Sequence, residues 1–196
     1  MPAKVARRLV PLVAVLITLT GCAGLSTAAV FTDSRSPLCE HGGEPGTPVV
    51  ILEAQAVPSA TLLPCIGLLP PGWNVSTVDI HNGRASFSMS SDRAGPNAVT
   101  VVLQRFCNLP AVTRVPTDEP GTRRFEQVGP VAPNLGYSGT RFYVFEGGCV
   151  NYRFDFKNAQ RAAPLGQVDS AVTFITRDEI RRRVQLDTDG HAKLDP

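Results

Sequence analysis

The sequence predicts an α+β fold: a single domain in which an antiparallel sheet of about five to seven strands is packed by one or two C-terminal helices and stapled by disulfides. Three observations carry that expectation. Asn82-Gly83 separates two runs that alternate apolar and polar residues, the pattern of a two-residue hairpin. Thr176-Arg177-Asp178-Glu179 has the spacing of a capping box at the start of a helix. Cys39, Cys65, Cys107 and Cys149 form an even set in the body of the chain once Cys22, near the N-terminus, is set apart.

The first 22 residues fall into three parts. Lys4, Arg7 and Arg8 are basic, Leu9 to Leu19 is strongly apolar, and a run of small residues closes on Cys22. This is the layout of an export signal. Its last four residues, Leu19-Thr20-Gly21-Cys22, resemble the lipobox of bacterial lipoprotein precursors. The resemblance implies that the Cys22 thiol takes a diacylglyceryl group and that residues 1–21 are removed in front of it. Acyl chains, palmitate among them, would then hold the mature protein on the extracytoplasmic face of the cell membrane. Each buried methylene contributes about 0.8 kcal/mol, so several chains hold firmly where one holds only marginally. Two rivals stand beside this reading, a retained membrane helix and an ordinary cleaved secretory signal, because Leu9 to Phe31 carries no charge. Thr18, Thr20, Gly21, Gly24, Ser26 and Thr27 dilute the second half of that stretch and weigh against a span.

The expected organisation is a signal peptide over 1–21, a lipidated tether over 22–37 and a single globular domain over 38–196. Removing the signal leaves 175 residues, enough for one sizeable core. Lys4, Arg7 and Arg8 leave with it, so 16 of the 19 basic residues remain against 17 acidic ones. A near-neutral body lacks the basic footprint that phosphate binding needs, which argues against nucleic acid as a partner. In an exported chain the four body cysteines read as two bridges. Of the three pairings, Cys39 with Cys65 and Cys107 with Cys149 is favoured, because the latter two fall at ends of strands that could be neighbours. There is no CxxC pair, and His41 is the one histidine beside a cysteine, so neither a metal nor another cofactor is expected.

Along the chain, Ala23 to Pro37 is rich in Ala, Ser and Thr and suits a tether. Cys39 to Gly46 is a loop punctuated by Gly and Pro. Val49 to Val57, between Pro48 and Pro58, reads as the first strand. Ser59 to Leu69 is interrupted by Pro64 and Gly67 and is expected to hold at most a turn or two, before Pro70-Pro71-Gly72 bends the chain into Trp73. A type I′ turn at Asn82-Gly83, with positive φ at both residues, then pairs His81 with Arg84, Ile80 with Ala85, Asp79 with Ser86, Val78 with Phe87, Thr77 with Ser88 and Ser76 with Met89. Ile80, Ala85, Val78, Phe87 and Met89 fall on one face, and His81, Arg84, Asp79, Ser86, Thr77 and Ser88 on a wet one. Asp92 to Asn97 turns the chain into a strand over Ala98 to Phe106.

Asn108 to Gly121 is Pro-rich and polar, the longest exposed loop expected. Phe125 to Val128 is a short strand, followed by a loop through Gly129-Pro130 and Pro133-Asn134. Arg141 to Glu146 and Val150 to Lys157 form a second hairpin around Gly147-Gly148, with Phe145 opposite Val150, Tyr143 opposite Tyr152 and Arg141 opposite Phe154. Ala159 to Ile175 is a helix whose firm part starts after Pro164 and Gly166. The final helix starts at the capping box, with Ile175 and Ile180 as its hydrophobic staple, and His191 to Pro196 is a frayed tail.

The candidate contact residues are Trp73, Tyr143, Tyr152, Arg181, Arg182 and Arg183. Trp73, the sole tryptophan, reads as core or rim anchor before ligand-stacking. Tyr143 and Tyr152 lie on an aromatic face suited to core contact, with a carbohydrate or aromatic-ligand platform as the alternative. Arg181-Arg182-Arg183 complements the negative end of a helix dipole, and anionic lipid headgroups are the second reading. The motifs GxSxG, GxGxxG, HExxH, SxxK and the P-loop are absent from the sequence, and His41, His81 and His191 fall on a loop, a wet strand end and a tail. The expectation is a non-catalytic binding or accessory protein of the bacterial cell envelope. Its partners would be the membrane through the lipid on Cys22 and an envelope protein, a wall polymer or a small-molecule ligand. The alternatives are an envelope hydrolase with a loop-built site and a structural subunit of a membrane complex. A deep pocket of converging polar groups would favour the enzyme, and a shallow apolar or aromatic patch the binder. Pro70-Pro71-Gly72-Trp73 is also similar to the corresponding stretch of small envelope lipoproteins of the PsbP-like class. The four body cysteines depart from that group, and the resemblance implies no function here.

Overall fold

Asn82 and Gly83 reverse the chain where the alternation places the turn, and the pairing on either side follows the expected register from His81–Arg84 to Thr77–Ser88. Only Gly83 takes positive φ (84°), so the turn is not of the type I′ form; its N–H is directed to the Ala56 carbonyl at 2.7 Å. Beyond Thr77 the register slips, and Met89 faces Val75 rather than Ser76. The displaced Ser76 hydroxyl bonds instead to the Ser88 carbonyl and the Asn97 side chain, at 3.1 and 2.7 Å.

The computed structural model describes residues 36–41, 44–45, 48–129, 136–157 and 163–194. Contacts divide the chain into Met1–Phe31, outside the described residues, and the body Thr32–Pro196. The signal segment, Cys22 and most of the 22–37 tether therefore lie outside the description. In chain order the body runs β1 (Glu40–His41), β2 (Glu44–Pro45), α1 (Pro48–Ala56), β3 (Leu62–Ile66), β4 (Trp73–His81), β5 (Arg84–Ser91) and β6 (Gly95–Gln104). It continues through β7 (Thr113–Val115), β8 (Arg123–Val128), β9 (Tyr137–Phe145), β10 (Gly148–Phe156), α2 (Ala163–Ala171), β11 (Val172–Thr176) and α3 (Arg177–Asp187). Seven strands form one antiparallel sheet in the order β4-β5-β6-β10-β9-β8-β7, while β3 and β11 pair as a separate ribbon. The α+β class is as expected. Both disulfides are also the favoured ones, Cys39–Cys65 and Cys107–Cys149.

Several elements differ from the sequence reading, each for a local reason. Val49 to Val57 is not the first strand: Pro48 to Ala56 is a helix. Val50, Glu53, Ala54 and Val57 are all buried, which is helical spacing, and Pro48 suits a first helical position. Ser59 to Leu69 is more than a turn, since Leu62 to Ile66 is β3; Pro64 is tolerated in a ribbon that has only one full partner. The helix expected over Ala159 to Ile175 ends at Ala171, and β-branched Val172, Thr173, Ile175 and Thr176 pair with β3 instead. The Asn108–Gly121 loop contains the short edge strand β7, and the loop over 39–46 carries the two-residue pairing of β1 with β2. Residues 130–135 of the next loop are outside the described residues.

The second hairpin turns one residue earlier than expected. Glu146-Gly147 is the turn, Phe145 faces Gly148, Tyr143 faces Val150 and Arg141 faces Tyr152. The shift is two residues in pairing, so each side chain keeps its face. Gly147 decides the register: its φ is 70°, and a Cβ there would sit 1.8 Å from the Ser59 carbonyl oxygen. Ser59 and Thr61 hydroxyls donate to the Gly147 and Glu146 carbonyls at 2.6 and 2.8 Å, pinning the turn to the start of β3.

The core lies on one face of the large sheet. Phe87, Met89, Val99, Val101, Leu103, Val150, Tyr152 and Phe156 are buried there against Val50, Ala54, Leu63, Leu165, Val168 and Val172 from the covering layer of α1, the β3–β11 ribbon and α2. Phe174 of β11 reaches down to Tyr143 and Phe145, with ring centroids 5.3 and 6.2 Å apart. On the opposite face, Ser88 and Thr100 hydroxyls bond across the strands at 3.0 Å. Thr176 caps α3 by accepting from the Glu179 amide at 3.1 Å, and Ile175 and Ile180 are both buried beside it. The C-terminal tail is not frayed through Leu194, which is 5% exposed and belongs to the core.

Candidate functional site

The inner face of the sheet changes chemistry from one edge to the other, and the register shows where. One row across it reads Val78, Phe87, Val101, Tyr152, Arg141, Glu126 and Thr113. Apolar residues hold the row as far as β10; charged ones take over at β9 and β8. In the neighbouring row the change comes one strand later, with Val150 followed by Tyr143 on β9 and then Arg124 on β8.

Arg141 is the centre of the charged half. Its side chain is buried, Nε donates to Glu126 Oε1 at 2.6 Å and Nη1 donates to Asp169 Oδ1 on α2. Burial disfavours its charge, but the Asp169 hydrogen bond and charge, with Tyr143 and Glu126, outweigh that and hold the guanidinium above its ordinary value. Arg124 Nε lies 3.4 Å from the same Glu126 oxygen. The loop after β7 brings up Glu119, fixed by its own amide on the Thr117 hydroxyl and by the Thr122 hydroxyl on its carbonyl. Burial pushes the Glu119 carboxyl up, and Asp118 and Asp169 add to it.

Tyr143 and Tyr152 adjoin this cluster, their ring centroids 5.2 Å apart. Both are at most 5% exposed, and burial raises both phenols above their usual range. They form core wall, not an open platform. Trp73 is likewise buried, and its Nε1 donates to Gln167 Oε1 of α2 at 2.9 Å. Trp73 and Arg141 clasp α2 to the sheet through Gln167 and Asp169, using polar bonds that suit an amphipathic cover, while Tyr143 packs on Tyr152 and on Phe174 of β11. As arranged, the guanidinium is committed to two carboxylates, Glu126 on β8 and Asp169 on α2, so it fixes the position of α2 against the sheet.

Arg181, Arg182 and Arg183 stand elsewhere, on α3, and not in its last turn as the dipole reading expected. Arg181 pairs with Asp178 at 2.6 Å, while Arg182 and Arg183 both reach Glu179, the latter at 2.5 Å. Arg183 also donates to the Cys39 carbonyl at 3.1 Å, joining α3 to the bridged N-terminal segment. Their first partners are thus acids one turn back on the same helix.

Two surface features stand out among the described residues. A cleft of about 260 Å³ between α1 and the end of α3 is lined by Ile51, Gln55, Val184, Asp187, Thr188 and Leu194. At the far end of the covering layer, the segment after β3 presents Leu68, 79% exposed, on a backbone held by Gly67 N to Ala171 O at 2.9 Å and Trp73 N to Pro70 O at 3.1 Å.

No family model, curated protein or solved structure matches this chain.

Its functional reading therefore rests on its own residues. The structure ties Trp73 to α2, sets Tyr143 and Tyr152 beside Arg141 in the sheet, and keeps Arg181 to Arg183 apart on α3. Three features escaped the sequence reading: the Glu126–Arg141–Asp169 cluster, the buried Glu53 and the exposed Leu68. A signal existed for the first, because Arg141 alternates in phase with Tyr143 and Phe145, and a charge on a core-facing row needs an opposite charge. Glu53 shares the helical spacing of Val50 and Val57, which a strand assignment hides. Among the described residues, no helix is long and apolar enough to cross a membrane.

Proposed function

We propose that this chain is an exported, lipid-anchored protein of the bacterial cell envelope with a non-catalytic binding or accessory role. The observation that carries the proposal is cysteine usage. Four body cysteines are closed in two bridges, and the fifth, Cys22, stands in the sequence Leu19-Thr20-Gly21-Cys22 behind a basic and apolar leader. Two bridges in the body suit an oxidising compartment, and the fifth cysteine then has the separate chemistry that a lipobox supplies. The binding half of the proposal is supported by polar groups that are spent on holding elements together and by an exposed apolar segment.

Intact mass measurement of the chain expressed with its leader in a bacterial host tests this. The expected product starts at acylated Cys22 and is lighter by four hydrogens before reduction than after it. A Cys22→Ser variant should keep residues 1–21 and lose the acyl mass. Recovery of unacylated wild-type protein would sink the anchoring half, and a purified protein that turns over an envelope polymer would sink the non-catalytic half.

A further inference from the structure

We infer that the segment Gly67–Pro71 is the face with which the body rests on the bilayer, Leu68 entering the apolar boundary of the lipid headgroups. The inference rests on the proposal that Cys22 is acylated, and adds to it which end of the fold meets the membrane.

Where the described chain begins carries the argument. Pro37 O accepts from Ile66 N at 2.7 Å, Leu38 bridges Ile66 in parallel, and Cys39 is bonded to Cys65. The N-terminal segment is therefore fastened to the last two residues of β3, and Leu68 follows two residues later. Ser36 is fourteen residues from Cys22, which limits their separation to about 50 Å even at full extension. An acylated Cys22 thus tethers the body at the end of β3, the residues that lead directly into Leu68.

The segment has the chemistry for that contact. Leu68 has the highest fractional exposure among the exposed large apolar residues, and Pro71 beside it is exposed and has no amide N–H to desolvate. Its shape is set before contact. Gly67 is tied to the end of α2, Trp73 turns back on Pro70, and Asp92 N bonds to Gly72 O at 3.0 Å. A fixed tip loses little entropy on docking, and a tethered protein samples the surface at high effective concentration, so one leucine suffices to bias orientation. Because the contact is apolar, it should form on zwitterionic lipid. Phe106, 73% exposed, is the matched control: Gly95 at the start of β6 pairs with Ser91, which pairs with Trp73, whereas Phe106 lies beyond the opposite end of β6, roughly 30 Å along a ten-residue strand.

The test uses the full processed chain with a solvent-sensitive fluorescent amino acid encoded at position 68 or, separately, at 106, reconstituted in phosphatidylcholine vesicles with or without brominated acyl chains. The expected result is a blue shift on vesicle binding and loss of intensity with brominated lipid at 68, and neither at 106. If acylated protein floats with the vesicles while the probe at 68 stays solvent-like, or if both positions respond alike, this inference is overturned and the anchoring stands. If the protein lacks the acyl group and does not float, both fall.

Discussion

Glu53 is the residue whose placement runs most against its chemistry. It sits on the buried face of α1, wholly inaccessible, and neither carboxyl oxygen has a hydrogen-bond partner among the described residues. Burial alone pushes its pKa well above the usual carboxylate range. The folded state therefore keeps a proton that the unfolded chain releases near about pH 4.3, and stability falls as pH rises from there to the folded value, by at most about 1.4 kcal/mol per pH unit. Glu53→Gln should remove that slope, and Glu53→Met should raise stability at neutral pH by about 1–3 kcal/mol. Urea unfolding at pH 5 and pH 8 checks both, and an unchanged slope in the glutamine variant would show that Glu53 is not its source. Arg177 is the opposite case, a buried cation with work to do. Its Nη1 donates to the Ala54 carbonyl at 2.7 Å, an oxygen left without a helical partner because Pro58 has no N–H, and reaches the Val57 carbonyl, which also takes the Ala60 amide, at 3.5 Å. Arg177→Met should destabilise by about 2–4 kcal/mol, read from the shift in denaturation midpoint at constant slope. A loss below half a kilocalorie would mean that solvent replaces those bonds.

At the scale of elements, the boundary between what the sequence reveals and what it hides follows the range of the deciding interaction. The β4–β5 hairpin is legible because its turn and alternation are adjacent in the chain, and the cap of α3 because Thr176 and Glu179 lie three residues apart. For α1, β3 and β11 the partners are distant. Val49, Val50 and Ile51 suit a strand, but α1 is closed by Gly83 N on Ala56 O and by Arg177, groups supplied from elsewhere in the chain. Pro64 hides β3 because nothing local says that its other side needs no full ladder. Of the candidate contact residues, Trp73, Tyr143 and Tyr152 carried a core reading in sequence that the fold bears out, while the acids that pair with Arg181 to Arg183 are one turn away and were legible as spacing. The cap yields its own prediction. Thr176→Ala should cost about 1 kcal/mol and Thr176→Ser should recover most of it. Hydrogen exchange at the Glu179 amide, faster in the alanine variant only, identifies the lost bond; equal exchange in all three proteins would exclude a capping role.

For the molecule as a whole, the two disulfides act on separate stretches of chain. Cys39–Cys65 spans 26 residues and fastens the N-terminal segment to the ribbon, while Cys107–Cys149 spans 42 and joins the start of β10 to the segment leaving β6. The loops do not overlap, so their effects on the unfolded chain are nearly independent, about 3.5 and 3.9 kcal/mol in the chain-entropy treatment. Together that is comparable to the whole net stability of many domains, about 5–15 kcal/mol. Each double alanine variant should therefore lower the unfolding free energy by about 3–4 kcal/mol, and the quadruple variant should be marginal or unfolded. Alanine is the right replacement, since Cys65 and Cys149 are buried and a serine would add an unsatisfied hydroxyl. The two pairs should also differ in kind. Cys149 sits in a ladder opposite Val144 and Gln104 that persists without the bridge, whereas Cys39 is held to β3 by the short pairing around Leu38. Losing the first bridge should thus speed exchange along the 36–41 segment out of proportion to the global loss, and losing the second should not. Equal local effects from both variants would mean that the N-terminal segment is held by its hydrogen bonds and not by its disulfide.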